Sequence, residues 1–197
     1  MVGNIMIDSF EMLREKIASA GARDELGLDE RAYAVVTLHR PSNVDELETM
    51  APIVDSLINV SRQLPVVFVA HPRTVKALRG FKLIERLEAM ENLLLIEPVP
   101  YAKFMNLVTG ARVVITDSGG LQEETSYLDI PCLTMRENTE RPVTIELGTN
   151  ALVNTLNLSN NLDSVLNGNW KAGAEIPLWD GNTAQRVVES LHRRIFS

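Results

Sequence analysis

Short apolar runs without polar alternation recur along the chain at Tyr33–His39, Val66–His71, Leu93–Glu97, Arg112–Asp117 and Pro131–Met135, with Ala151–Asn154 as a sixth candidate. Runs of this kind fit strands covered on both faces, which predicts a parallel sheet. Between them the apolar period changes to about 3.6 residues. The clearest case is Asp45–Gln63, where Leu47, Met50, Ile53, Val54, Leu57, Ile58 and Val60 form one stripe opposite Glu46, Glu48, Asp55 and Arg62, with Pro65 closing it. The same pattern predicts helices over Thr74–Met90, with a break at Gly80, and over Tyr101–Thr109, Leu121–Leu128, Pro142–Leu147 and Ala184–Phe196. The last follows an Asp180-Gly-Asn-Thr183 turn and cap and carries Arg193 and Arg194 near its C-terminal end. Strands alternating with helices in this way predict an α/β domain over residues 31–197, an open parallel sheet of about six strands with helices on both faces. Residues 1–30 stand apart, with an amphipathic helix expected at Asn4–Ala20 and a polar connector at Gly21–Arg31.

Composition narrows the function classes. The 197 residues carry a formal charge of −7, which disfavours a duplex-binding surface, since that needs a basic face to neutralise phosphates. Five Phe, three Tyr and two Trp are too few for a base-stacking platform, so no nucleic-acid partner is expected. A single small nucleotide fits, because a helix N-terminus holds phosphate without net positive charge. The one cysteine, Cys132, has no internal disulfide partner and favours a reducing compartment. No apolar run approaches the roughly 18 residues of a membrane helix, and no signal-peptide profile opens the chain, so no membrane partner and a cytoplasmic location are expected.

The chemistry-bearing residues fall just after the apolar runs. Val113-Val-Ile-Thr-Asp-Ser-Gly-Gly-Leu-Gln-Glu-Glu-Thr125 passes from a buried strand through a glycine turn into a helix, at the sheet edge where open α/β folds bind ligands. Gly119 and Gly120 allow close approach to the backbone, the first helical N–H groups are free, and Ser118 adds a hydroxyl, a combination suited to pyrophosphate. The same residues also describe a tight turn with a serine cap. Glu123 and Glu124 are expected in the first helical turn, favoured there by the dipole or by the hydroxyls of a ribose. His39-Arg40-Pro-Ser-Asn43 follows the first strand and His71-Pro-Arg73 the second, placing both histidines on the edge that carries Ser118. Pro41 and Pro72 are expected to make each histidine begin a loop. A histidine is the residue whose charge changes near neutrality, and each of these two also fits a structural role. A zinc site is disfavoured, because no third ligand sits at familiar spacing. Arg141 precedes Pro142 at the start of a helix and suits a phosphate, or a salt bridge to Glu137 or Glu140. Phe104 fits either a cover over a planar ring or a core position.

Taken in order, Thr37-Leu-His-Arg-Pro-Ser-Asn43, His71-Pro72, Glu97-Pro-Val-Pro-Tyr101, Asp117-Ser-Gly-Gly-Leu-Gln-Glu-Glu124, Thr139-Glu-Arg-Pro142 and Glu146-Leu-Gly-Thr149 resemble the C-terminal half of the non-hydrolysing UDP-N-acetylglucosamine 2-epimerases. Pro177-Leu-Trp-Asp-Gly-Asn-Thr-Ala184 is similar to the turn that opens that family's last helices. The resemblance implies a Rossmann-like domain of a glycosyltransferase-B-like enzyme, an isomerase that holds a UDP-sugar between two such domains. It eliminates UDP to a glycal and adds it back with C2 inverted, with no cofactor and no metal. Ser118, Gly119 and Gly120 would hold the pyrophosphate, Glu124 the ribose hydroxyls and Arg141 the nucleotide sugar. Phe104 and the Val99 backbone would line the uracil pocket, and His39 would be the catalytic-site histidine near the leaving diphosphate. Arg40 and His71 match positions that contact a second, activating UDP-N-acetylglucosamine in bacterial members.

The resemblance also implies work on precursors of cell-envelope polysaccharides, a homodimer for the full-length protein, and catalytic carboxylates supplied by an N-terminal domain absent from these residues. Met1–Asp8 would then be the hinge between domains. The loop Arg40-Pro-Ser-Asn-Val44 departs from the Arg-Arg-Glu-Asn pattern of many members and marks a distinct branch. The expectation is a chain that binds UDP and a UDP-N-acetylhexosamine but does not epimerise alone. The competing readings are the nucleotide-sugar half of a transferase and a free-standing UDP-sugar sensor. An NAD-dependent dehydrogenase is weaker, lacking Gly-x-Gly-x-x-Gly after the first strand.

Overall fold

The computed structural model describes residues 1–196 and consists of one six-stranded sheet wrapped by helices. The strands are β1 (Ala34–Thr37), β2 (Val66–Val69), β3 (Leu93–Ile96), β4 (Val113–Thr116), β5 (Cys132–Met135) and β6 (Asn150–Val153). All neighbours pair in parallel, in the order β3-β2-β1-β4-β5-β6. β2, β4 and β5 are buried along their whole length, which is what runs without polar alternation require of a sheet covered on both faces. Strand order reverses between β1 and β4, so the loops leaving these two strands diverge to opposite faces and leave a crevice at their C-terminal ends.

The helices are α1 (Ile5–Ala18), α2 (Ala22–Glu25), α3 (Pro41–Val44), α4 (Leu47–Ser61), α5 (Pro72–Gly80), α6 (Ile84–Glu88), α7 (Tyr101–Thr109), α8 (Gly119–Tyr127), α9 (Pro142–Glu146), α10 (Leu158–Leu166) and α11 (Thr183–Phe196). Two cores flank the sheet. One packs α4, α5, α6 and α10 on one face, with Leu57, Phe68, Leu78 and Leu162 fully buried; the other packs α1, α7 and α8 on the opposite face around Phe10, Tyr33, Met105 and Leu107. The segment 1–30 is therefore built onto the domain: α1 contributes Phe10 and Ile17 to the second core, and the Asp8 carboxylate accepts hydrogen bonds from the backbone N–H groups of Thr183 and Ala184, capping α11.

Several expectations need correction. The helix expected at Asp45–Gln63 is present as α4, with the whole stripe from Leu47 to Val60 inside it, and only its ends move, to Leu47 and Ser61. The residues before Pro41 and Pro72 are extended as expected, and His39 lies in a short loop that ends at Arg40, the N-cap of α3, but His71 does not begin a loop: it is the N-cap of α5, with Pro72 at the first helical position, where a missing N–H costs nothing. Glu123 and Glu124 lie in the second turn of α8, since the helix already begins at Gly119. The connector 21–31 contains α2. The helix α10 was not anticipated; its Leu158, Leu162 and Val165 face the core at helical spacing, but Ser159, Asn160, Asn161, Asp163 and Ser164 mask the pattern with poor helix formers.

Candidate functional site

The C-terminal ends of β1 and β4 bring together the residues singled out above. Ser118 caps α8, its hydroxyl accepting from the Leu121 N–H at 3.5 Å, while its own N–H donates to Thr116 Oγ1 at 3.0 Å. These bonds fix the strand-to-helix turn and leave the N–H groups of Gly119 and Gly120, the first two helical residues, without a partner in the helix. A Cβ on Gly119 would meet nothing within 4 Å, and one on Gly120 only Met6 Cε at 3.6 Å. Internal packing therefore does not demand glycine at 119. The open space lies outside the backbone, at a positive helix end, where an anion seats.

Across the crevice stands His39. Its Nδ1 lies 3.0 Å from Asp117 Oδ1, and its N–H donates to the same carboxylate. Asp117 has no solvent exposure and also accepts from Arg40 N–H at 2.8 Å and from Asn43 Nδ2 at 3.0 Å. Burial alone would raise its pKa, but the His39 side chain, the Arg40 N–H and Asn43 together hold it below the ordinary carboxylate range. The pairing works in the other direction on His39: the bond to Asp117 raises its pKa against the opposing effect of burial and favours the imidazolium. From sequence, Asp117 is assigned no role; the available signal is an ionisable residue directly after the buried run Val113–Thr116.

The arrangement around Glu124 is different. The residue is 5 % exposed, and its carboxyl accepts a hydrogen bond from Tyr101 Oη at 2.6 Å. Burial raises its pKa, Tyr101 opposes this, and neighbouring Glu123 reinforces it. Burial and Glu124 likewise push the Tyr101 phenol up. Tyr101 opens α7, and Phe104 sits one turn further, half-buried against the second core. Val99 lies two residues before Tyr101 in the β3–α7 loop, also half-buried. Phe104 thus packs partly into the core, as one of its two expected positions requires, and keeps part of its side chain accessible.

Arg141 caps α9, and its guanidinium pairs with Glu123, Nε to Oε1 at 2.9 Å. The salt bridge expected with Glu137 or Glu140 goes to Glu123 instead, because Glu140 is taken by the two terminal guanidinium nitrogens of Arg136. Nearly half of the Arg141 side chain stays exposed, on the α8 side of the crevice. His71 joins His39, their ring centroids 6.0 Å apart, and its Nδ1 accepts from Arg73 N–H at 3.2 Å. Arg40 is drawn inward: its Nε donates to the Asp117 carbonyl at 2.9 Å. Among the described residues no group of three His, Cys, Asp or Glu is placed to hold a metal ion.

The motifs and the glycine turn beside a buried Asp117 paired with a half-exposed His39 find their counterpart among known proteins. The family model described as UDP-N-acetylglucosamine 2-epimerase matches residues 1–192. The chain belongs to this family. It is 37% identical over 199 aligned residues to the UDP-N-acetylglucosamine 2-epimerase of Methanococcus maripaludis, covering 95% of this chain and 53% of that protein. It superposes with a TM-score of 0.84, at 35% identity, on the Methanocaldococcus jannaschii UDP-GlcNAc 2-epimerase crystallised in complex with UDP-GlcNAc and UDP, covering 98% of this chain and 54% of that one. A TM-score of 0.83 at 27% identity relates it to the Neisseria meningitidis UDP-GlcNAc 2-epimerase bound to UDP-GlcNAc, again over 98% and 55% of the two chains. The chain thus spans about half the length of the epimerases it matches. No described helix is long and apolar enough to cross a membrane.

Proposed function

We propose that this chain is the nucleotide-binding half of an enzyme that interconverts UDP-N-acetylglucosamine and UDP-N-acetylmannosamine by eliminating UDP and adding it back. The reading rests on one observation above all: an unobstructed glycine turn at the N-terminus of α8 faces a histidine bonded through Nδ1 to a buried carboxylate, across the point where strand order reverses. The free amides of Gly119 and Gly120, with Ser118, receive the pyrophosphate. Glu124, on the same helix one turn on, receives the ribose hydroxyls. Val99 and Phe104 flank the base, and Arg141 adds a cation beside the diphosphate.

In this reading His39 serves the leaving group. With Nδ1–H engaged by Asp117, the second N–H is directed away from that carboxylate, and an imidazolium there stabilises the charge that develops on UDP as the C1–O bond breaks. Abstraction of the C2 proton needs a positioned base, which we assign to the N-terminal domain of the family; isolated residues 1–197 bind UDP but do not epimerise the UDP-N-acetylhexosamine. Arg40 and His71 are proposed contacts for a second UDP-N-acetylglucosamine. The engagement of Arg40 with Asp117 couples that place to the catalytic histidine. We assign the full-length enzyme, as a homodimer in the cytoplasm, to the supply of nucleotide sugars for cell-envelope polysaccharides.

Calorimetric and thermal-shift titration with UDP tests the site. Ligand at 100 times its dissociation constant stabilises the chain by about 2.7 kcal/mol, and Arg141→Ala weakens binding. No shift at millimolar UDP in either protein would remove the site. Product analysis of the full-length protein with UDP-N-acetylglucosamine separates the epimerase from a transferase or a sensor.

A further inference from the structure

We propose that Gln122 is a positioning residue that sets Arg141 in register with the glycine turn through a buried chain of side-chain hydrogen bonds. The inference rests on reading the turn and Arg141 as the two anion contacts. Gln122 has no solvent exposure and lies in the first turn of α8. Its Nε2 donates to the Ser118 carbonyl at 3.2 Å, so one end of the amide grips the turn. Its Oε1 accepts from Thr139 Oγ1 at 2.6 Å and from Asn150 Nδ2 at 3.2 Å.

Both partners lead to Arg141. Thr139 Oγ1 accepts from the Arg141 N–H at 3.0 Å. Asn150 Nδ2 also donates to Thr144 Oγ1 at 3.1 Å, and that hydroxyl donates to the Arg141 carbonyl at 2.7 Å. Asn150 is itself anchored, its Oδ1 accepting from Thr134 Oγ1 of β5 at 2.6 Å. The backbone of Arg141 is therefore held at its N–H and at its carbonyl, with Gln122 joining the two branches. Such holding is needed because Arg141 is neither helical nor extended, at φ −124° and ψ 57°, and its loop has no β-ladder to fix it. An apolar side chain at 122 would fill the space equally well. A side chain that satisfies three polar neighbours at once specifies one arrangement of two segments separated in sequence, which is the use of a fully paired buried network.

Thr139→Val tests the chain at its outer, half-buried end, where folding is least at risk, and Thr139→Ser restores the hydroxyl. In the ligand-free protein, Thr139→Val is expected to shift the amide resonances of Gly119 and Gly120 as well as that of Arg141, and to speed hydrogen exchange at Arg141. Changes confined to residues 138–142 would overturn the coupling, whatever the protein binds. In UDP titrations, Thr139→Val is expected to weaken binding about five- to tenfold, the worth of roughly one hydrogen bond, and Thr139→Ser to bind as wild type. Combining Thr139→Val with Arg141→Ala is expected to cost no more than Arg141→Ala alone. Additive losses, or a folded Thr139→Val with wild-type affinity beside a weakened Arg141→Ala, would overturn the proposal. If Arg141→Ala itself binds UDP normally, the reading of Arg141 fails, and the amide measurements still decide the coupling.

Discussion

Asp117 binds His39 twice, through the backbone N–H at 3.0 Å and through Nδ1 at 3.0 Å, so one buried carboxylate fixes the position of that histidine and favours its charged form. The two pKa shifts set a pH window. Asp117 lies below its ordinary 3.8, so its contribution to stability is present above that value and is lost as pH falls through the lower folded value. His39 lies above its ordinary 6.5, so its contribution is complete below 6.5 and is lost as pH rises through the folded value. Together they favour the folded chain most between about pH 4 and 6.5.

Asp117→Asn removes both effects and turns an NH₂ donor toward donors. We expect it to lower stability by about 2–3 kcal/mol and to bring the His39 pKa down to or below 6.5. With three histidines in the chain, imidazole proton resonances followed against pH measure this directly. An unchanged His39 titration in folded Asp117→Asn would contradict the role given to the pair.

Two glycines of the family motifs should separate function from packing. Gly119→Ala places its methyl in open space at the first position of a helix, so it should leave stability unchanged or raise it by up to about 1 kcal/mol. The same methyl occupies the anion's approach, and UDP affinity should fall at least about tenfold, or 1.4 kcal/mol. Gly148→Ala should do the reverse, because its Cβ would lie 2.3 Å from Ser126 Oγ and 2.7 Å from the Thr144 carbonyl. We expect a loss of about 1–3 kcal/mol in denaturant unfolding, with UDP affinity retained in the folded fraction.

How much of this was legible beforehand follows the physics of each element. The sheet was legible because a strand covered on both faces is predominantly apolar: β2 is wholly so, and β4 and β5 each carry a single buried threonine, Thr116 and Thr134. Tyr101–Thr109 was located to the residue because Pro100 precedes it and Gly110 ends it. The place of the site followed from loops after strands, and His39, Ser118 and His71 do lie on one edge. Partners were not legible. Nothing in spacing pairs Arg141 with Glu123 in preference to Glu137 or Glu140, since that choice depends on where α8 and α9 meet. The roles of Asp117 and Gln122 depend on segments more than ten residues away, and a buried polar side chain has no periodicity that announces it. Pro72 shows the limit of reading a loop from proline, because an extended residue before proline serves equally as a helix N-cap, which is what His71 is for α5.

Glu124 should show the cost of keeping a carboxyl ready for a ribose. Its pKa is raised above the ordinary 4.5 chiefly by burial, so the folded state holds its proton more tightly than the unfolded one. Stability from that preference is complete below 4.5 and is lost as pH rises through the folded value, leaving a buried anion stabilised by Tyr101 alone among the named neighbours. Glu124→Gln keeps the shape and an oxygen for the Tyr101 hydroxyl while removing the charge. Above neutrality it should therefore unfold at higher temperature, by about 2–4 °C for roughly 1 kcal/mol in a chain of this size, and the gain should vanish near pH 4. UDP affinity should move the opposite way, falling by about tenfold because a carboxamide has one acceptor oxygen where the ribose diol needs more. Thermal unfolding of both proteins from pH 4 to 8, with and without UDP, checks the two halves together. A lower unfolding temperature for Glu124→Gln at pH 8, or undiminished UDP binding, would show that Glu124 is held for the fold and not for the nucleoside.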